Sequence, residues 1–176
     1  VDTVSHHRDL AVLAQEFLDG RHLVFGHQLT THLVHPHLPR YGLADGTIDA
    51  IATDHAPHSP VEKEVEFNGA PNGIIGLETA LPLVLRLVQE GRVPLDTALR
   101  RLTAGPARIL RIDKGHLSIG ADADVTIIDP ALEHEVDPTR FLSRSRNTPF
   151  AGWKLRGRAV RTIVGGRTVF DLARGG

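Results

Sequence analysis

The stretch from Ile48 to His58 reads I-D-A-I-A-T-D-H-A-P-H, an apolar run that stops at an aspartate, two histidines and a proline. A short apolar run bounded in this way predicts a buried strand, and the polar cluster at its end predicts a strand that delivers groups to a site. A carboxylate placed there needs its charge compensated, by a metal ion or by a hydrogen-bonded catalytic network. Asp54 is therefore the leading candidate residue, and the chain reads as part of a metallohydrolase.

Composition narrows the remaining classes. Cysteine is absent, so any metal would be held by nitrogen and oxygen, and disulfides, thiolate sites and cysteine nucleophiles are excluded. The formal net charge is −1, with cations scattered among acids, which argues against nucleic acid as a partner and for a small-molecule ligand. No apolar stretch approaches the roughly 18–20 residues that span a bilayer, and the first residues lack the order of a secretory signal, so no membrane partner and a cytoplasmic address are expected. The histidines crowd into the first forty residues, at positions 6, 7, 22, 27, 32, 35 and 37, a pattern of metal sites and of solvated loops alike.

Organisation follows from period and punctuation. Leu10, Leu13, Ala14, Phe17 and Leu18 share one helical face, which predicts a helix closed by Gly20, and Leu23 to Phe25 predicts a buried strand ending at Gly26-His27. Gln28 to Leu43, with Pro36, Pro39 and Gly42, reads as loop. Ile48 to Thr53 is a second buried strand, and Ala56 to Gly73 a long and hence functional loop. Helices are predicted over Leu77 to Val88, closed by Gly91, over Leu95 to Leu102, opened by Pro94, and over Ala107 to Leu110. From Gly115 the pattern turns to strands, with Asp124 to Ile128, and a hairpin joining Arg161–Val164 to Arg167–Phe170 through Gly165-Gly166. The boundary divides the chain into an α/β part, residues 1–114, and a β-rich part, residues 115–176.

Strand–helix alternation with functional groups at the carboxyl ends of strands is the rule of (β/α) barrels. Four segments carry a more specific likeness: I-A-T-D-H-A-P-H, then N-G-I-I-G-L-E-T-A-L-P-L, then S-R-N-T-P-F-A-G-W, and finally I-V-G-G-R-T-V-F. Together they resemble the carboxyl-terminal portion of dihydroorotase, of the class related to allantoinase and hydantoinase within the amidohydrolase superfamily, from about Leu43 to Phe170. The resemblance implies an α/β fold, a partial (β/α)8 TIM-type barrel with a small β-rich carboxyl-terminal domain. It also implies reversible hydrolysis of the cyclic amide of dihydroorotate to carbamoyl aspartate, a step of pyrimidine biosynthesis, at a zinc site. In that likeness Asp54 ligates metal and shuttles the proton, His58 contacts substrate, and Asn72 and Gly73 lend main-chain groups to the ring. His27 matches a metal-ligating histidine at the end of an earlier strand. Read without the resemblance, Asp54 would equally cap a turn, His58 would be a loop histidine, His27 would end a core strand, and Asn72-Gly73 would be a turn.

The chain also departs from the family pattern. A complete barrel takes eight strand–helix units and about 250 residues, whereas residues 1–114 suffice for two or three. The family's His-x-His pair, its mid-chain lysine or aspartate, a further histidine and an asparagine segment for substrate have no counterpart, so two ligands, Asp54 and His27, make a weak zinc site. An internal deletion or shifted frame near Gln28 to Tyr41 is an expectation that comparison of coding DNA tests. Activity is then expected to need the rest of the barrel in trans. The alternatives are a catalytically inactive relative that scaffolds aspartate transcarbamoylase, or an enzyme acting on a hydantoin or allantoin. Uncovered strand edges predict a homo-oligomer or an obligate complex.

Overall fold

The computed structural model describes residues 13–17, 21–25, 38–66 and 68–175. Two three-stranded sheets and five α-helices make up the described fold. The first sheet orders β1 (Leu13–Phe17), β2 (Arg21–Phe25) and β3 (Ile48–Ala52), with β1 antiparallel and β3 parallel to β2. Between β2 and β3 lies α1 (Leu38–Asp45). This parallel pair joined through a helix is the α/β unit expected of the chain, and the sheet it belongs to is open.

Two expectations are corrected. The run read as a helix from Leu10 to Leu18 contains β1 instead. Five residues, L-A-Q-E-F, also alternate apolar and polar at Leu13, Gln15 and Phe17, and so short a run fits both periods until a partner strand selects one. The segment read as loop up to Leu43 contains α1, and Pro39, taken as a breaker, sits at its second position. In a first helical turn the missing N–H of proline costs nothing, because that donor has no intrahelical partner anyway. The same reason carries α5 (Ala104–Leu110) back past Gly105 and Pro106. The other helices are α2 (Pro60–Lys63), inside the long loop, α3 (Ala80–Gln89) and α4 (Leu95–Leu102).

Beneath β3 the helices enclose a core of Leu43, Ile48, Val84, Val93 and Ala98, flanked by Ile51, Leu87, Val88 and Leu102. On the helix side of β3, half-buried Asp49 meets Arg108 at 2.9 Å and Arg101 at 3.7 Å, tying α5 and α4 to the strand. The second sheet is a meander of β4 (Val125–Glu135), β5 (Lys154–Val164) and β6 (Arg167–Asp171). Its β5–β6 turn is the expected Gly165-Gly166 pair, both in the left-handed region at φ 55° and 76°, which only a primed turn requires. Β4 breaks register between Asp129 and Glu133, where Pro130 cannot donate to a ladder and Asp129 Oδ1 accepts from Ala131 and Leu132 N–H instead.

A second core joins the two parts of the chain. Val136, Phe150 and Leu155 are buried with Ile74 and Leu83 packed against them. Strand β5 lies directly on α3: a Cβ built at Gly157 (φ 103°) would come within 2.4 Å of Leu85 Cδ1. Gln89 Nε2 donates to the main-chain oxygens of Pro130 and Arg156 at 3.3 and 3.0 Å across the same junction.

Candidate active site

Strand β3 ends at Ala52, and Asp54 follows two residues later, at the carboxyl end of a parallel strand where α/β folds place their functional groups. Its backbone is left-handed, φ 46°, a conformation that aspartate tolerates better than most residues. The residue is exposed, so its carboxylate stands open to a ligand. Beside it, Gly76 N–H donates to His55 Nδ1 at 3.1 Å. A backbone N–H can only donate, so His55 Nδ1 carries the lone pair and the neutral ring holds its hydrogen on Nε2.

The segment from Ala56 to His58 runs against the segment from Asn72 to Gly76. Ala56 N–H donates to Ile74 O at 2.9 Å, and His58 Nε2 faces Asn72 O at 2.9 Å. Since a carbonyl oxygen can only accept, His58 carries its hydrogen on Nε2, and Nδ1 of the neutral ring is an acceptor. Gly73 is buried with φ 119°, and a Cβ there would meet Ala56 Cβ at 2.5 Å and His58 Nε2 at 3.3 Å. Only glycine lets the two segments approach so closely. The intervening loop is closed by Lys63 Nζ donating to Pro71 O at 2.7 Å and by a capping box, in which Ser59 and Glu62 bond each other at the start of α2. Both hydrogen bonds from Ser59 hold the Glu62 carboxyl below its ordinary value, so it stays charged.

The structure thus brings His58, Asn72 and Gly73 together, and Asp54 precedes His58 by four residues in the same segment after β3. His27 lies outside the described residues, as do His6, His7, His32, His35 and His37. Among the described residues, no three His, Asp or Glu side chains group as a metal site. Asp54 alone does not hold zinc, so the described residues do not fit that ion without further ligands.

Three residues of the site escaped sequence reasoning: His55, Ser145 and Asn147. The Asn147 carboxamide donates to Ala56 O at 2.9 Å and to Gly73 O at 3.1 Å and accepts from His58 N–H at 3.2 Å. The buried Ser145 hydroxyl accepts from His58 N–H at 3.1 Å and faces both His58 O and Asn147 Oδ1. A signal was present in the sequence. A polar S-R-N triplet stands beside the Phe150 and Trp153 run, and of its residues Ser145 is buried and Asn147 half-buried while Arg146 is exposed, so the first two must find partners.

The sequence profile of the amidohydrolase family matches residues 35–169. The chain is 59% identical over 130 residues to the dihydroorotase of Geobacter sp. (strain M21), a match covering 74% of this chain and 31% of that protein. With the dihydroorotase of Syntrophotalea carbinolica identity is 61% over 134 residues, 76% of this chain and 32% of the relative. The solved L-hydantoinase (dihydropyrimidinase) from Arthrobacter aurescens superposes with a TM-score of 0.70 at 34% identity, covering 76% of this chain and 31% of that one. The chain therefore spans about a third of the length of the relatives it matches.

Proposed function

Because the chain belongs to the amidohydrolase family, we propose that it carries the site-aspartate segment of a dihydroorotase-type cyclic amidohydrolase, which interconverts dihydroorotate and carbamoyl aspartate in pyrimidine biosynthesis. The observation that supports the reading is the packing of Ala56 and His58, just past Asp54, against Asn72 and Gly73 through a glycine that admits no side chain. Identity of 59–61% to dihydroorotases, against 34% to an L-hydantoinase, favours dihydroorotate over a hydantoin or allantoin.

In this proposal Asp54 takes a proton from the attacking water and returns it to the leaving amide nitrogen, the general acid–base role its exposed position permits. His58 contacts the substrate, with its ring orientation held by Asn72 O. The main chain at Asn72 and Gly73 lends its groups to the ring of the substrate, while the lack of a Cβ at Gly73 lets Ala56 and His58 pack against it. Zinc, which the family reading supplies as the activator of water, would be held by Asp54 and His27 together with residues beyond the described ones. The chain then forms the carboxyl-terminal strand–helix units of a TIM-type barrel over residues 1–114 and a β-rich small domain over 115–176, in a cytoplasmic enzyme. Among the described residues no helix is long and apolar enough to cross a membrane.

Val61, Leu117, Ile119 and Leu142 are each more than 70% exposed, which supports coverage by further polypeptide, a second copy of the chain or the missing barrel. The alternative is a scaffold that associates with aspartate transcarbamoylase without turnover. Metal analysis and dihydroorotate hydrolysis on the purified chain, alone and with the rest of the barrel in trans, decide between them. About one tightly bound zinc and turnover, both lost in Asp54→Ala, are expected; neither zinc nor turnover under both conditions, with co-purification of the transcarbamoylase, refutes the enzyme reading.

A further inference from the structure

The side chain brought to this site from furthest along the chain is Asn147, which is 89 residues from one partner, His58, and 91 from another, Ala56. Two carbonyl oxygens lie on one side of its amide and an N–H on the other, which leaves a single orientation for the group. Both Nδ2 hydrogens are used, on Ala56 O and Gly73 O, and Oδ1 accepts from His58 N–H with the Ser145 hydroxyl beside it. Its main-chain oxygen accepts from Ile75 N–H at 3.1 Å. One residue therefore holds both facing segments, the one carrying His58 and the one carrying Asn72 and Gly73.

Asn147 is in turn held by its own surroundings. Ser143 N–H and hydroxyl donate to the two carboxylate oxygens of Glu78, just ahead of α3, at 2.8 and 3.0 Å. Three residues beyond Asn147, Phe150 is buried edge-on to Trp153, ring centres 5.2 Å apart. The close contact of Gly157 with Leu85 fixes how near β5 stands to α3.

We propose that Asn147 is a positioning residue that sets affinity for the cyclic amide substrate by fixing His58 against the Asn72-Gly73 main chain, and that the docking of the β-rich part on α3 thereby tunes the site. The proposal rests on the dihydroorotase-type reading of His58, Asn72 and Gly73. Its chemistry is tested by an isosteric change. In Asn147→Asp the volume stays the same, but the two donors become an acceptor oxygen facing two carbonyl oxygens, so attraction turns to repulsion between groups that hold the turns together.

The experiment uses the full chain in the form that turns over dihydroorotate, and reads both the imidazole nitrogen resonances of His58 and the kinetics. The wild type is expected to show His58 as the Nε2–H form. In Asn147→Asp that preference weakens, and KM for dihydroorotate rises about tenfold while kcat stays within about threefold, the size expected for loss of one or two hydrogen bonds that position a binding group. Unchanged His58 resonances and KM in a folded Asn147→Asp overturn the proposal. Should that variant not fold, Ser145→Ala removes only the hydroxyl beside His58, and a rise in KM supports the proposal while an unchanged KM overturns it. If His58 responds to Asn147→Asp but the wild type neither binds nor turns over dihydroorotate, the substrate reading falls while the link between Asn147 and His58 stands.

Discussion

Gly73→Ala is expected to destabilise the fold by about 2–6 kcal/mol, the sum of two separable costs. At φ 119° an L-residue is strained, by about 1–3 kcal/mol. The new methyl would also lie 2.5 Å from Ala56 Cβ. That carbon cannot swing aside, because Ala56 N–H donates to Ile74 O and Ala56 O accepts from Asn147, each at 2.9 Å. Overpacking against so fixed a neighbour adds about 1–3 kcal/mol. Gly91→Ala is the control: its φ of 67° is also left-handed, but nothing lies within 4 Å of the added carbon, so only the conformational cost of about 1 kcal/mol remains. Urea unfolding followed through the single tryptophan, Trp153, reports both variants, since that ring packs on Phe150 at the α3–β5 junction. The double variant Ala56→Gly/Gly73→Ala removes the opposing methyl and should recover at least about 1 kcal/mol of the loss. A Gly73→Ala cost within about 0.5 kcal/mol of the Gly91→Ala cost, with no recovery in the double variant, would refute the claim that close approach governs this position.

Asp54→Asn keeps shape and tolerates the left-handed backbone, so turnover of dihydroorotate by the assembled enzyme should fall more than about a hundredfold with the unfolding midpoint unchanged; retained turnover would remove Asp54 from the chemistry. Leu85→Ala should cost about 2–5 kcal/mol, because this side chain is 1% exposed and is the surface on which Gly157 rests; denaturant unfolding checks it. Burial, and secondarily the charge of Arg158, hold the His134 imidazole below its ordinary value of 6.5, against a hydrogen bond with the Leu132 main chain that acts the other way. The unfolded chain then takes up the proton first, so stability is full above about pH 6.5 and declines as pH drops below it toward the folded-state value. His134→Gln should flatten that acid-side decline in unfolding experiments across pH, and an unchanged slope would show that other groups cause it.

Much of the framework was legible because its causes are local. The apolar run of β3 and the aspartate two residues past its end, the Gly165-Gly166 turn, and Gly91 closing the helix at residues 80–89 each depend on neighbours a few positions away. The family likeness named His58, Asn72 and Gly73 as separate site residues, and only the fold shows that the His58 ring meets Asn72 O and lies beside Gly73. Where signals were short or two-valued, reading failed: five residues of β1 satisfied both periods, and prolines at 39 and 106 stood as stops although each opens a helix. Asn147 shows where a local pattern stops: the S-R-N triplet marks a polar residue beside a buried run but not its partners. A carboxamide's partners are set by which carbonyls and N–H groups arrive around it, and these come from 74 to 91 residues away, after β5 has packed on α3. Residue types and their spacing determined which chemistry the chain could carry; only the packed structure decided which side chains hold that chemistry in place, because hydrogen bonds between distant segments exist only once apolar burial has brought those segments together.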